Sequence, residues 1–403
     1  MKVLLATSGS RGDVQPMLAL ALAFQREGHD VLLAGPPERA AWARALGCAY
    51  APLGADATAL IDSMGAAHTL AAAPTFLRYL KNEIDAQFRR LPDLAAGREL
   101  VIGASLCFAL SSIAERGRIP YRFIAFTPQL LPSGEHPFMA FRNHRRPAWF
   151  NRLGWDAARM LDRFHMNAVI NRHRRRIGLP GVRDWFRHAQ GHELVVASDA
   201  AIAPLPTDID RPAVQTGYMH LRQPEAAMCA LERFLAAGPA PVYVGFGSMP
   251  RPDQARLQPL VTAAGRAAGQ RLVVARFWNV AAEADGDVFF ISRYPHRQLF
   301  PRMAAVVHHG GAGTTATAAI CGVPQLIVPH ILDQYYWGER IRRTGIGPAP
   351  VWRSRLSVRR LAAAIDACVS QAGYRNRAER VGRQIRSSDG AAAAVRQILT
   401  GLE

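Results

Sequence analysis

Lysine is nearly absent from this 403-residue chain: Lys2 and Lys81 are the only lysines among its 49 basic residues, and the rest are arginine. Arginine is spread over the whole length against 31 acidic residues, for a formal net charge of +18. So even a distribution points to compositional bias more than to a polyanionic partner, and no nucleic-acid partner is expected. Cysteine is scarce and unpaired. Cys48, Cys107, Cys229, Cys321 and Cys368 are odd in number and include no C-x-x-C pair, which argues against a disulfide framework or a zinc ribbon and reads as reduced, small apolar residues. Long apolar runs are missing too: stretches such as Leu326-Ile327-Val328 fall far short of the ~20 residues of a transmembrane helix. The start, Met1 to Ala6, runs directly into a Gly-rich turn and reads as a first strand rather than a secretory signal, so the expected location is the cytoplasm. The dinucleotide fingerprint is incomplete. Gly245 and Gly247 match its first two glycines, but Pro250 stands where the third belongs, which disfavours hydride transfer.

What is present is strand–helix alternation. Val3 to Ala6 predicts a buried strand, followed by the turn Thr7 to Asp13 and a helix from Val14 to Glu27 closed by Gly28. Val31 to Ala34, Leu100 to Ile102, Phe123 to Ala125 and Leu194 to Val196 predict further strands, apolar throughout, as parallel sheets covered on both faces require. After a Pro-rich stretch from Pro204 to Pro224 the pattern restarts with Val242 to Phe246, Leu272 to Ala275, Val288 to Ile291, Ala304 to Val307 and Gln325 to Val328. The expectation is an α/β protein of two Rossmann-like domains facing across a cleft, with ligands at the carboxyl ends of the strands. The expected domains are residues 1–218, residues 219–380, and a C-terminal helix in 381–403 that packs back on the first domain.

Three turns at strand ends carry ligand chemistry. His308-His309-Gly310-Gly311-Ala312-Gly313-Thr314-Thr315 joins a buried strand to a small-residue helix, where unpaired N–H groups and the helix dipole favour an anion. The glycines permit close approach, His309 adds a hydrogen bond or a charge, and the threonines add hydroxyls, which suggests a nucleotide diphosphate. Gly245-Phe246-Gly247-Ser248 is either an ordinary glycine turn or one whose Ser248 meets a phosphate oxygen. In Ser8-Gly9-Ser10-Arg11-Gly12-Asp13, Asp13 reads equally as the N-cap of the next helix or as a carboxylate that takes a proton from a hydroxyl. Asp333 and Gln334, about twenty residues after the phosphate turn, supply groups suited to a polyhydroxylated ligand.

The run from His308 to Thr315, then Gly322-Val323-Pro324-Gln325 and Asp333-Gln334-Tyr335-Tyr336-Trp337-Gly338-Glu339-Arg340, resembles the donor-binding signature of family 1 glycosyltransferases. Gly9 to Pro16 is similar to the branch containing sterol glucosyltransferases and those that decorate antibiotic aglycones. The resemblance implies that His309, Gly311, Ala312, Gly313 and Thr314 hold the diphosphate with help from Ser248. It further implies that Asp333 and Gln334 bind sugar hydroxyls, that Arg293-Tyr294 packs on the nucleobase, that Ser10, Arg11 and Gly12 lie on the donor side, and that Asp13 is the base. Many members place a histidine in the first turn, partnered by an aspartate. Here the earliest histidine is His29, and Ser105-Leu106-Cys107-Phe108 offers no carboxylate, so Asp13 stands without a relay. Thr317 occupies the place of a ribose-binding glutamate of plant relatives, which leaves UDP and dTDP open. The activity so implied is inverting O-glycosyl transfer from a UDP- or dTDP-sugar to a hydrophobic, hydroxylated acceptor, with the nucleotide sugar as co-substrate and no metal or other cofactor. A nucleotide-sugar epimerase of the same fold and a basic nucleic-acid- or membrane-binding protein are the alternatives. The arginines between Arg142 and Arg187, interleaved with Trp149, Phe150, Trp155, Phe164, Trp185 and Phe186, read either as solvated helix faces over an aromatic core or as a peripheral contact with the inner face of an anionic membrane.

Overall fold

A computed structural model of the chain describes residues 1–56, 73–162, 165–224, 227–247, 251–276, 283–292, 294–400 and 402. Within it the chain divides into two units. The first comprises Met1–Ala200, Pro204–Leu221 and Asp389–Glu403; the second comprises Ala201–Ala203 and Arg222–Ser388.

The first unit is built on seven strands: β1 (Lys2–Ser8), β2 (Asp30–Gly35), β3 (Ala49–Pro52), β4 (Leu100–Ser105), β5 (Tyr121–Ala125), β6 (Leu194–Val196) and β7 (Ala213–Gln215). They pair in parallel in the order β3-β2-β1-β4-β5-β6-β7. β1 shows why its sequence is apolar at every position. Val3 and Leu5 enter a core formed with the helices Arg11–Arg26 and Gly390–Thr400, whereas Leu4 and Ala6 enter the core on the other face with the helices Ala73–Ala95 and Leu110–Gly117. β3 and β7 escape the pattern reading because they are short and incompletely buried.

The second unit holds β8 (Val242–Gly245), β9 (Leu272–Ala275), β10 (Glu283–Asp285), β11 (Val288–Ile291), β12 (Ala305–His308) and β13 (Gln325–Ile327) in the order β10-β11-β9-β8-β12-β13. Only β10, an exposed edge strand, runs antiparallel. Setting it aside, both sheets share one winding: the first strand of each unit lies beside the fourth, so β1 adjoins β4 and β8 adjoins β12. The direction of winding reverses at those two places, where two successive loops depart to opposite faces and leave a crevice at the carboxyl ends.

The helix Gly390–Thr400 completes the first unit from the far end of the chain. Ala391, Ala394, Val395 and Ile398 are buried against the core that holds Leu18, Leu20 and Phe24. Gly390 allows the approach, since a Cβ there would lie 2.5 Å from the Tyr218 carbonyl oxygen. Replacing the fully buried Ile398 with alanine is expected to cost ~2–5 kcal/mol, measured as a lower urea midpoint at unchanged slope in the first-unit transition.

Candidate active site

At the β1–β4 crevice, the first turn of the helix Arg11–Arg26 is set by its cap. Ser10 is the N-cap; its Oγ accepts from Gly12 N at 3.2 Å, and the Asp13 carboxylate reaches back to accept from Ser10 N at 2.7 Å. The N-cap reading of Asp13 is therefore corrected. The turn is shorter than expected, the helix begins at Arg11, and Asp13 is its third residue. Ser10 Oγ also donates to Asp13 Oδ2 at 3.0 Å, and Ser105 Oγ, at the end of β4, donates to Oδ1 at 2.7 Å. The Ser10 amide is thus on Oδ2, and Oδ1, with the Ser105 hydroxyl as its side-chain donor, has room for a second hydrogen bond. Burial raises the Asp13 pKa above the ordinary 3.8, against the lowering effect of the Ser105 and Ser10 hydrogen bonds. Gly9, at φ +132, is required beneath this arrangement, because a Cβ there would lie 2.5 Å from Asp13 Oδ2. Arg11 is turned onto Trp42, its Cζ 5.0 Å from the ring centre, with its Nε 3.3 Å from Gln15 Oε1.

The β8–β12 crevice has a different chemistry. The helix Ala312–Ile320 starts from Gly311 with no side-chain cap, and the first of its amides seen to close back on the cap is Thr315 N, on the Gly311 carbonyl. The amides of Ala312, Gly313 and Thr314 head an uncapped helix, the positive end of its dipole. His309 lies over this end between two glycines. A Cβ on Gly247 (φ +60) would come within 2.6 Å of its Cε1, and one on Gly311 within 2.5 Å of its Nε2. Burial pulls its pKa down to about 4, opposed by the Gly245 main chain, so His309 is a neutral imidazole at pH 7 rather than a fixed charge. His308 is structural. Its Nδ1 accepts from Gly310 N, which leaves Nε2–H to donate to Gln325 Oε1 at 2.9 Å, and Gln325 Nε2 donates to the Thr315 carbonyl.

The Asp333-Gln334 pair is brought against this turn. Gly310, at φ +93, would place a Cβ 3.0 Å from the Gln334 carbonyl oxygen. Gln334 is buried, and its Oε1 accepts from His330 N and Ile331 N, so its side chain shapes the loop. Asp333 is the half-buried cap residue of the helix Gln334–Thr344 and accepts from Trp337 Nε1 through one oxygen. Thr314 and Tyr294 are half-buried, Tyr294 following the carboxyl end of β11; Thr317 Oγ1 donates to the Gly313 carbonyl at 2.7 Å. Ser248 and Arg293 lie outside the described residues. The motif reading missed three polar residues: Ser105 as a partner of Asp13, and Glu83 and Gln87, buried on the helix Ala73–Ala95. Their bonds join positions up to 92 residues apart, so no local signal announces them.

Two Rossmann-like units, one with a carboxylate turn and one with an uncapped glycine turn at the strand ends, are the layout of the glycosyltransferases of the GT-B fold. Residues 3–132 match the glycosyltransferase family 28 N-terminal domain, and residues 272–402 match the erythromycin biosynthesis protein CIII-like C-terminal domain. A vancomycin aglycone glucosyltransferase of Amycolatopsis orientalis is 37% identical over 99% of this chain and 97% of that protein. A sterol 3-beta-glucosyltransferase of Arabidopsis thaliana is 30% identical over 98% of this chain and 67% of that protein. Among solved structures, the glycosyltransferase of kitacinnamycin superposes with a TM-score of 0.72 at 19% identity, covering 98% of this chain and 97% of that one. The glycosyltransferase VinC, solved in complex with dTDP, gives 0.71 at 19% identity, covering 99% of each. The chain belongs to the family 1 glycosyltransferases, in the branch of antibiotic-aglycone and sterol glycosyltransferases, which take their sugar from a nucleotide-sugar donor.

The two depressed imidazoles predict an acid limb of stability. Burial holds His308 at about 3 and His309 at about 4, below the ordinary 6.5. Between 6.5 and those values the unfolded chain binds protons that the folded chain refuses, so their contribution is complete above pH 6.5 and is lost as pH falls. Thermal melts from pH 7 to 4.5 are expected to show a shallower pH slope in His309→Gln than in the wild type.

Proposed function

We propose that this glycosyltransferase is an inverting O-glycosyltransferase that moves a sugar from a UDP- or dTDP-sugar to a hydroxyl of a hydrophobic small-molecule or lipid acceptor. The observation that carries the reading is the division of chemistry between the two crevices, a burial-raised carboxylate in one unit and an uncapped helix N-terminus under His309 in the other. Asp13 Oδ1 takes the proton of the acceptor hydroxyl as its oxygen bonds to the anomeric carbon. The bond from that carbon to the diphosphate oxygen breaks, and the electron pair leaves with the nucleotide diphosphate. A carboxylate is a weak base for an alcohol, so proton transfer and C–O cleavage are concerted, and stabilising the leaving group dominates. That task falls to the amides of Ala312, Gly313 and Thr314 and to His309 as a hydrogen-bond donor, with no metal or other cofactor. Among the described residues no three His, Cys, Asp or Glu side chains are grouped to hold a metal ion, and activity is expected to survive EDTA. Asp333 and Gln334 bind sugar hydroxyls in this reading, Gln334 through its amide nitrogen, and Tyr294 lies against the nucleobase.

The sequence stretch rich in arginine and aromatics divides in the structure. Trp155, Trp185 and Arg174 are buried, Arg174 in a two-pronged pair with Glu115 at 2.8 and 3.0 Å. Trp149, Leu153 and Met160 are 67%, 59% and 60% exposed along the helix Ala148–Asp162, with exposed Arg142, Arg145 and Arg146 close by in sequence. We assign this stripe to a peripheral contact with an anionic membrane at its cytoplasmic face; among the described residues no helix is long and apolar enough to cross one.

Thermal shift with UDP, dTDP, UDP-glucose and dTDP-sugars tests the donor site. A nucleotide diphosphate is expected to raise the melting temperature of the wild type and of Asp13→Asn but not of His309→Ala, while Asp13→Asn lowers kcat by ~10²–10⁴-fold. No stabilisation of the wild type at millimolar nucleotide would overturn the donor reading. Co-sedimentation with phosphatidylglycerol vesicles checks the membrane contact, with Trp149→Glu expected to reduce binding.

A further inference from the structure

Ser105 is a backbone outlier with a purpose visible in its partners. It adopts φ +54, a region that costs a non-glycine residue free energy and persists only where the surroundings enforce it. Its surroundings do so from both sides. Ahead of it, β4 pairs with β1 to the last position, Ser8 opposite Ser105. Behind it, the chain folds back with Cys107 N on the Ala104 carbonyl, and the fully buried Gln87 spans the loop, its Nε2 on the Leu106 carbonyl at 2.9 Å and its Oε1 receiving Ala109 N at 3.1 Å. One helical turn earlier, Glu83 receives Ser8 Oγ at 2.6 Å and Ala55 N at 2.7 Å. Two buried polar side chains at i and i+4 of one helix therefore hold the two strand ends that flank Asp13, one each.

The outcome of this enforced turn is the 2.7 Å hydrogen bond from Ser105 Oγ to Asp13 Oδ1. Without it, the carboxylate is oriented by its helix cap alone, through Ser10 N and Ser10 Oγ on Oδ2, and Oδ1 loses its side-chain donor. We propose that Ser105, at the head of the loop that Gln87 fastens, is the positioning residue of the transfer reaction, aiming the open lone pair of Asp13 Oδ1. The inference rests on Asp13 being the base. It supplies by a neutral hydroxyl the orienting partner that a carboxylate relay would otherwise provide.

Ser105→Gly and Ser105→Ala test this, beside Asp13→Asn and Ser105→Asn. Glycine tolerates φ +54 without strain, so Ser105→Gly is expected to fold and melt like the wild type while losing only the hydroxyl; asparagine also tolerates this region and offers an N–H donor. The first readout needs no substrate: the ¹³C titration of the Asp13 carboxyl, assigned by its loss in Asp13→Asn. The titration is expected to move to higher pH in Ser105→Gly and Ser105→Ala and back towards the wild type in Ser105→Asn. The second is sugar transfer from UDP-glucose or dTDP-glucose to a phenolic acceptor that the wild type uses. For Ser105→Gly, kcat is expected to fall by ~10–100-fold with KM for the nucleotide sugar unchanged, and the acid limb of the rate profile to move up with the carboxyl. Wild-type kcat and an unmoved titration in Ser105→Gly, with Asp13→Asn inactive, would overturn this inference alone. Full activity in Asp13→Asn would overturn the base assignment and this inference with it.

Discussion

Parallel pairing of the first strand of each unit with the fourth is the constraint on which the rest depends. β1 and β4 run in register from Val3 opposite Leu100 to Ser8 opposite Ser105, and β8 and β12 from Val242 opposite Ala305 to Gly245 opposite His308. Because neighbouring parallel strands end side by side, their loops begin a few ångströms apart although nearly a hundred residues separate them in the first unit. The hydrogen bond from Ser105 to Asp13, and the seating of His309 against Gly247, follow from that adjacency.

The same architecture serves opposite electrostatic ends. Removal from water raises the carboxylate of Asp13 and lowers the imidazole of His309, in both cases by disfavouring charge. A carboxylate shifted upward is the stronger base, which suits proton removal. An imidazole kept neutral leaves the positive field over the helix Ala312–Ile320 to its backbone amides, which are fixed in place and need no reorganisation when charge develops on a leaving group. His308, next in the chain, is spent on holding the turn, because strand alternation aims adjacent side chains to opposite sides.

Polar side chains buried on the helix Ala73–Ala95 link fold to site. Glu83 and Gln87 contribute little to a hydrophobic core, yet each satisfies main-chain or hydroxyl donors at a strand end that carries site residues. A buried polar group left without its partner is costly, so these bonds define the loop geometry sharply. Gly54 shows the closeness of the packing, since a Cβ there would overlap the Glu83 carboxylate.

The alternation of apolar strands and helices and the glycine turn at His308 to Thr315 were legible by themselves. Strand burial needs continuous apolar residues, and a turn packed as closely as this one needs glycine, so both requirements are written locally. The short strands β3 and β7 and the assignment of Ala201–Ala203 to the second unit were not legible, because each is decided by what covers a segment rather than by its composition. Asp13 shows the division most clearly. Its sequence context allowed a cap or a base; the structure gave the cap to Ser10, committed Oδ2 to it, and left Oδ1 to Ser105 from 92 positions away. The sequence by itself determined which chemical groups stand at the strand ends. Tertiary structure decided which of them share a hydrogen bond, because only the pairing of β1 with β4 brings Ser105 within 2.7 Å of that carboxylate.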